Sequence, residues 1–207
     1  NIYHKSMFAR AVASYLHATV YCDYDSKQME KTKYTVLKGS EFKQRFPTYT
    51  PVKIVGNNHN NFPYVLGLNK NTEVFMPGGK CSGHGLYFTD ESDLSHFVNF
   101  GYGDKVAHIK LLEKEDIWVE DNKCKTNQFE IVRIEPIEEY ISNLSVEKQM
   151  KYIQQDGCML RHIKNPTKKQ HLEAVKQNGV AIQFIKNPSE QVQLEAVRQN
   201  GYVIQCI

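Results

Sequence analysis

The 207-residue chain has no apolar run near the length a membrane-spanning helix needs, which is about 18 residues. It has no secretory leader pattern either. The opening stretch NIYHKSMFARAVASYLHATVYC is broken by His4, Lys5 and Arg10, so it reads as an amphipathic helix over residues 4–18 and not as an apolar leader. It also lacks a C-x-x-C motif. The five cysteines stand at 22, 81, 124, 158 and 206, an odd number at wide spacing. That pattern excludes a disulfide framework and fits a reducing compartment, so a protein that is not secreted is expected. Cys81-x-x-His84 offers half of a zinc site, but no second pair follows at a standard spacing. His96 and His108 would have to be recruited in space. No metal is expected, with Cys81 and His84 as the alternative pair.

Nucleotide fingerprints are missing as well. Residues 78–90, GGKCSGHGLYFTD, carry four glycines and a lysine ahead of an apolar run. A phosphate loop requires Ser or Thr after its lysine, and Lys80 is followed by Cys81. A dinucleotide fingerprint requires a third glycine, and Gly83-His84-Gly85 is followed by Leu-Tyr-Phe. No Ser-His-Asp or Cys-His order is marked by a local motif. One enzymatic alternative survives. ADP-ribosyl transfer would use an aromatic to stack nicotinamide and a carboxylate to stabilise an oxocarbenium-like transition state. Tyr87 and Glu130 are candidates for those parts, Lys38 is the candidate on the preceding strand, and NAD would be the cofactor. The competing reading makes Tyr87 and Phe88 aromatics of a strand core, and a non-catalytic protein is expected.

The composition that is present fits a globular protein, with 41% hydrophobic and 24% charged residues. Residues 1–140 are rich in Tyr, Phe, Val and Ile in short runs between turns. Strands are predicted at 32–39, 51–56, 71–76, 85–89, 104–112, 116–121 and 127–137. A helix is predicted over 89–101, capped by Thr89 or Asp90 and stopped by Gly101, with a second around 40–46. Residues 57–61, NNHNN, read as a turn.

Residues 141–207 repeat with a period of 22, marked by Gly157, Gly179 and Gly201. Each unit reads as a helix, a glycine turn and a short second helix. Asn165 and Asn187 suit N-caps, with Pro166 and Pro188 at the first helical position. Glu190 would complete a capping box with Asn187. Asn178-Gly179 and Asn200-Gly201 would end the helices in a left-handed residue. The columns Met150/Leu172/Leu194, Ile153/Val175/Val197 and Leu160/Ile182/Ile204 are the predicted shared core. The last unit carries no polar cap, so its end is expected to continue or to be covered. The fold class is therefore α+β, with a mixed β-rich domain over 1–140 and a solenoid-like helical array of three repeats over 141–207.

Two sets of residues carry a resemblance. Gly67-Leu68-Asn69, Gly79-Lys80-Cys81, Gly85-Leu86-Tyr87-Phe88-Thr89, Phe100-Gly101-Tyr102-Gly103 and Asn122-Lys123-Cys124-Lys125-Thr126-Asn127 resemble an N-terminal module. That module is found ahead of ankyrin and other repeats in giant DNA viruses of the Mimivirus group. The 22-residue units resemble a short helical repeat abundant in the same viruses and in some bacteria. The two pieces span roughly residues 50–207. The resemblance implies a viral, modular repeat protein in the cytoplasm of an infected host cell or in the virion, and it brings no activity with it.

Formal charge is +3 overall, and residues 142–207 hold nine Lys or Arg against five Asp or Glu. That bias is too mild for a dedicated nucleic-acid binder. Helical repeats present extended faces, and most bind protein. The expected partner is a host or viral protein, met through Lys176, Arg198, Gln177, Gln199, Lys164 and Lys186 on the repeats and Tyr87 and His84 on the first domain. RNA is the alternative, because basic residues are interleaved with twelve tyrosines and ten phenylalanines. No membrane partner is expected.

Overall fold

The computed structural model describes residues 35–56, 62–73, 75, 85–98, 103–120 and 123–206. The chain forms two compact units, Asn1–Leu94 with Gly101–Ile134 and Ser95–Phe100 with Glu135–Ile207. The predicted helix over 4–18, the turn 57–61 and the Cys81-His84 pair lie outside the described residues.

The first unit is built on an eight-stranded antiparallel sheet. Its strands are β1 (Thr35–Lys38), β2 (Pro51–Gly56), β3 (Gly67–Lys70), β4 (Leu86–Asp90), β5 (Gly103–Lys110), β6 (Asp116–Val119), β7 (Cys124–Thr126) and β8 (Gln128–Pro136). The order is β1-β6-β7-β4-β2-β5-β8-β3. Leu86, Tyr87 and Phe88 of β4 pair with β7, and then Thr89 and Asp90 pair with β2. β4 therefore joins two halves of the sheet, and the halves close on one apolar core. Phe88 of β4 meets Phe129 of β8 edge-on, with ring centroids 6.3 Å apart. Phe42, Tyr49, Leu86, Ile109, Ile117 and Ile131 fill the space around them. Phe42 comes from the short helix α1 (Gly39–Arg45), the helix predicted around 40–46. The Tyr49 hydroxyl donates to Cys124 Sγ at 3.5 Å, and burial pushes that thiol well above its ordinary range.

The second unit is helical. Its elements are α2 (Ser95–Val98), α3 (Ile137–Asn143) and three successive pairs of an α-helix with a 3₁₀ helix. These pairs are α4 (Val146–Gln155) with η2 (Gly157–His162), α5 (Lys168–Gln177) with η3 (Gly179–Phe184), and α6 (Glu190–Gln199) with η4 (Gly201–Cys206). Ile153, Val175, Leu160 and Ile182 are buried, as the 22-residue period predicts. A further inner column, Met159, Ala181 and Val203, is buried too. The third members of two predicted core columns are not enclosed, since Leu194 and Ile204 are each 65% exposed.

The chemistry at the repeat boundaries differs from the sequence expectation. Thr167 caps α5 in place of Asn165, and a capping box joins its side chain to Gln170. Ser189 occupies the cap of α6 in place of Asn187. Asn187 instead takes φ 55° just before Pro188, a left-handed conformation that asparagine tolerates better than most residues. Both prolines stand ahead of the caps and not at the first helical position. Nor does a left-handed glycine end each helix, for Gly157, Gly179 and Gly201 are absent from the positive-φ glycines. Asp156 and Asn178 close one helix and cap the next, their side chains accepting from Cys158 N and Val180 N at 2.9 and 3.1 Å. Asn200 accepts from Tyr202 N in the same way at 3.1 Å.

The repeat glycines answer to packing. A Cβ at Gly179 would lie 2.7 Å from the Ala196 carbonyl oxygen, and one at Gly157 would lie closer still to that of Ala174. The next helix lies on each of these two glycines, so only a residue without a side chain fits there. Gly157 N–H donates to Gln177 Oε1 at 2.6 Å, and Gly179 N–H donates to Gln199 Oε1 at 2.8 Å.

Three sequence predictions in the first unit change. Residues 71–73 and 75 are not strand, and β3 lies just before them. β7 forms where no strand was predicted. The helix predicted over 89–101 is split into a 3₁₀ turn, η1 (Glu91–Asp93), and α2, with Asp90 accepting from Ser92 N at 2.9 Å. α2 belongs to the second unit.

Candidate functional site: a basic groove on the repeats

The residues of the alternative NAD site, Lys38, Tyr87 and Glu130, stand on three different strands, β1, β4 and β8. Phe88 and Phe129 both point into the core, and adjacent strand residues point to opposite faces. Tyr87 and Glu130 therefore leave that core in opposite directions. Glu130 is tied to Lys110 Nζ at 2.9 Å on the outside of β8. Lys38 sits on β1, three strands from β4, which is roughly 14 Å of sheet, and holds Asp116 at 2.6 Å. The three residues do not converge on a single point.

Tyr87 has a different environment. Its ring lies under Lys123 Nζ at 4.6 Å and Lys125 Nζ at 5.0 Å. Lys125 is fully buried and also faces Phe75, whose ring packs 4.1 Å from Trp118. The lysine stem and ring faces cover the outside of this half of the sheet. Gly85, the described glycine of the 78–90 stretch, has φ 131°, and a Cβ there would lie 2.5 Å from Lys125 Cε. Both backbone and space demand glycine at that position. Lys125 was not legible as a buried residue, because the rings that cover it come from distant parts of the sequence. Among the described residues no group of three or more His, Cys, Asp or Glu side chains comes together.

The binding residues expected on the repeats fall into three arrangements. Gln177 and Gln199 form the inter-repeat ladder described above, so their side-chain oxygens are engaged. Arg198 holds Glu195 at 2.7 Å, and that pairing draws the Glu195 carboxyl below its ordinary range, with Lys176 adding to the effect. The Lys176/Arg198 line therefore carries its own counter-charge. Lys164 and Lys186, one repeat apart, converge on a groove of about 450 Å³. Arg161, Asn165, His171 and Phe184 also line it, and no lining residue is a carboxylate.

The groove arises from the repeat itself. Each lysine follows the isoleucine that anchors the end of a 3₁₀ helix, Ile163 or Ile185, both nearly buried. That anchor turns the next side chain outward. Ser142 fixes the first lysine further, its hydroxyl donating to His162 O at 3.2 Å and accepting from Lys164 N at 3.1 Å. Arg161 Nε donates to His162 Nε2 at 2.9 Å. That bond requires a neutral imidazole, and burial followed by the Arg161 charge lowers the His162 pKa to about 4. Burial lowers His171 as well. Near neutral pH the groove thus presents three fixed cations, one uncharged histidine, His171, and one aromatic ring. The sequence period identified the two lysines. Arg161 and Phe184 went unrecognised, because the other members of their columns are of different types, Gln183 and Gln205 for Arg161 and His162 and Cys206 for Phe184.

Among the described residues no helix is long and apolar enough to cross a membrane. The chain matches no protein-family model, no curated protein and no solved structure.

Proposed function

We propose that this chain is a non-catalytic interaction module whose helical repeats form a short solenoid-like array and bind an acidic segment of a partner protein. The supporting observation is the groove in which Lys164 and Lys186, one repeat apart, stand with Arg161 and no carboxylate. Its volume of about 450 Å³ falls in the range of roughly 300–1,000 Å³ usual for ligand clefts. Three cations in such a cleft favour Asp, Glu or a phosphorylated side chain and speed the encounter with an acidic partner. A role in a host cell infected by a giant virus, with a host or viral protein as partner, rests on the motif resemblance.

The test is fluorescence polarisation with a labelled Asp/Glu-rich peptide and a labelled single-stranded RNA of equal charge. The peptide is expected to bind, with affinity that falls as salt rises. Lys164→Glu with Lys186→Glu should weaken it about tenfold, the worth of roughly 1.4 kcal/mol, with no change in melting temperature. RNA binding tighter than peptide binding, or peptide binding indifferent to the double reversal, would reject this reading.

A further inference from the structure

The groove between the first two repeats holds more positive charge than one carboxylate answers. Arg161 and Lys164 line it from η2 and the turn that follows, and Lys186 lines it from the turn after η3. Elsewhere Lys38, Lys110, Lys123 and Arg198 each hold a carboxylate, at 2.6, 2.9, 3.5 and 2.7 Å. Neither Lys164 nor Lys186 forms such a pair among the described residues. Three cations on two neighbouring turns repel one another until an anion joins them.

The other polar groups of the groove add donors and no negative charge. Asn165 brings a side-chain amide. Burial lowers the His171 pKa, so its ring is neutral at pH 7 and brings an N–H without adding to the repulsion. Arg161 is oriented by its own neighbour. Its Nε donates to His162 Nε2 at 2.9 Å, so a two-point contact with an anion has to come end-on, from the two Nη groups. Leu160 and Ile163 are buried beneath the cations, and such an apolar floor strengthens charge pairing above it.

We propose that the groove recognises a phosphorylated serine or threonine of a partner protein, in preference to aspartate or glutamate. The site is that of the acidic-partner reading, on which this proposal rests. A phosphomonoester carries a charge of about −1.5 to −2 near neutral pH and presents three terminal oxygens. A carboxylate carries one charge on two oxygens. Three oxygens match three cations, with the Arg161 fork on two of them and Lys164 and Lys186 as point charges beside it. The volume of about 450 Å³ also leaves room for the residues that flank the phosphorylated one, against Pro166 and Phe184. Free phosphate leaves those apolar contacts unmade.

The test is calorimetric titration of the full chain with three peptides and with inorganic phosphate. The peptides share neutral flanks that include a leucine. They differ at a central pair, which is phosphoserine-glycine, glutamate-glutamate of matched charge, or serine-glycine. The phosphopeptide is expected to bind about tenfold or more tightly than the glutamate peptide, and more tightly than inorganic phosphate. Lys186→Gln, at an exposed position, should weaken the phosphopeptide about tenfold and the glutamate peptide less than about threefold. Arg161→Lys keeps the charge and loses the fork, so it should remove most of the preference for phosphate while the glutamate peptide stays within about twofold. Equal affinity for the two charged peptides would overturn the proposal and leave the acidic-partner reading standing. Inorganic phosphate binding as tightly as the phosphopeptide would overturn it too, since the groove would then take a free anion. Binding of neither charged peptide would remove the acidic-partner reading and this proposal with it.

Discussion

At the scale of single residues, the repeat glycines show one sequence mark serving two physical situations. Gly179 is pinned under a carbonyl and bonded to Gln199, whereas Gly201 has open space where its side chain would be. Gly179→Ala is therefore expected to cost about 1–3 kcal/mol, as overpacking does, while Gly201→Ala stays within about 0.5 kcal/mol of the parent. Urea unfolding of the two variants reads the difference directly. Equal costs would show that helix propensity at the glycine governs these positions, and not the neighbouring helix. Gln199→Ala removes the acceptor from an N–H that α6 covers, and the same titration should show a loss of about 1 kcal/mol or more.

At the scale of elements, capping separates α5 from α6. The Thr167 side chain accepts from Gln170 N at 3.2 Å, and Gln170 Oε1 accepts from Thr167 N at 2.8 Å. Buried Gln170 also donates to Gln149 Oε1 at 2.8 Å, and Gln149 in turn donates to the Ile141 carbonyl at the end of α3. Ser189 makes no side-chain cap bond. Thr167→Ala should thus cost about 0.5–2 kcal/mol and Ser189→Ala clearly less, measured by thermal unfolding. The repeat period made the helices and their buried columns legible, because 22-residue spacing and apolar content are both linear properties. The caps were not legible. Asn, Ser and Thr are all competent at the N-cap, so composition alone does not choose Thr167 over Asn165 or Ser189 over Asn187. β7 was hidden for a related reason. Its Cys-Lys-Thr sequence looks polar, and Lys125 packs on rings at 75 and 87 that lie far from it in the sequence. The candidate site was half legible, since the two lysines share the period while Arg161 and Phe184 depend on how adjacent repeats meet.

At the scale of the whole molecule, the half-buried His162 couples stability to pH. Its pKa falls from the ordinary 6.5 to about 4, through burial and then the charge of Arg161. The unfolded chain therefore binds this proton more readily than the folded one between about pH 6.5 and 4. Stability must then fall as pH drops through that window and level off below it. A shift of that size is worth about 3 kcal/mol for an enclosed ring, and about 1–2 kcal/mol is expected for one partly open to solvent. Asp90 works against it over acidic pH. Burial raises that carboxyl, so the folded chain takes up its proton first and gains stability as pH falls. The His162 contribution is isolated by comparing the parent with His162→Gln, whose amide oxygen can still accept from Arg161. The stability difference between the two proteins, measured in urea at pH 7 and again at pH 4.5, should shift by about 1–2 kcal/mol in favour of the variant at the lower pH. A difference constant across that range would mean that His162 protonates freely in the folded chain. The Arg161–His162 bond would then not survive acidification, and the groove would lose the contact that fixes its third cation.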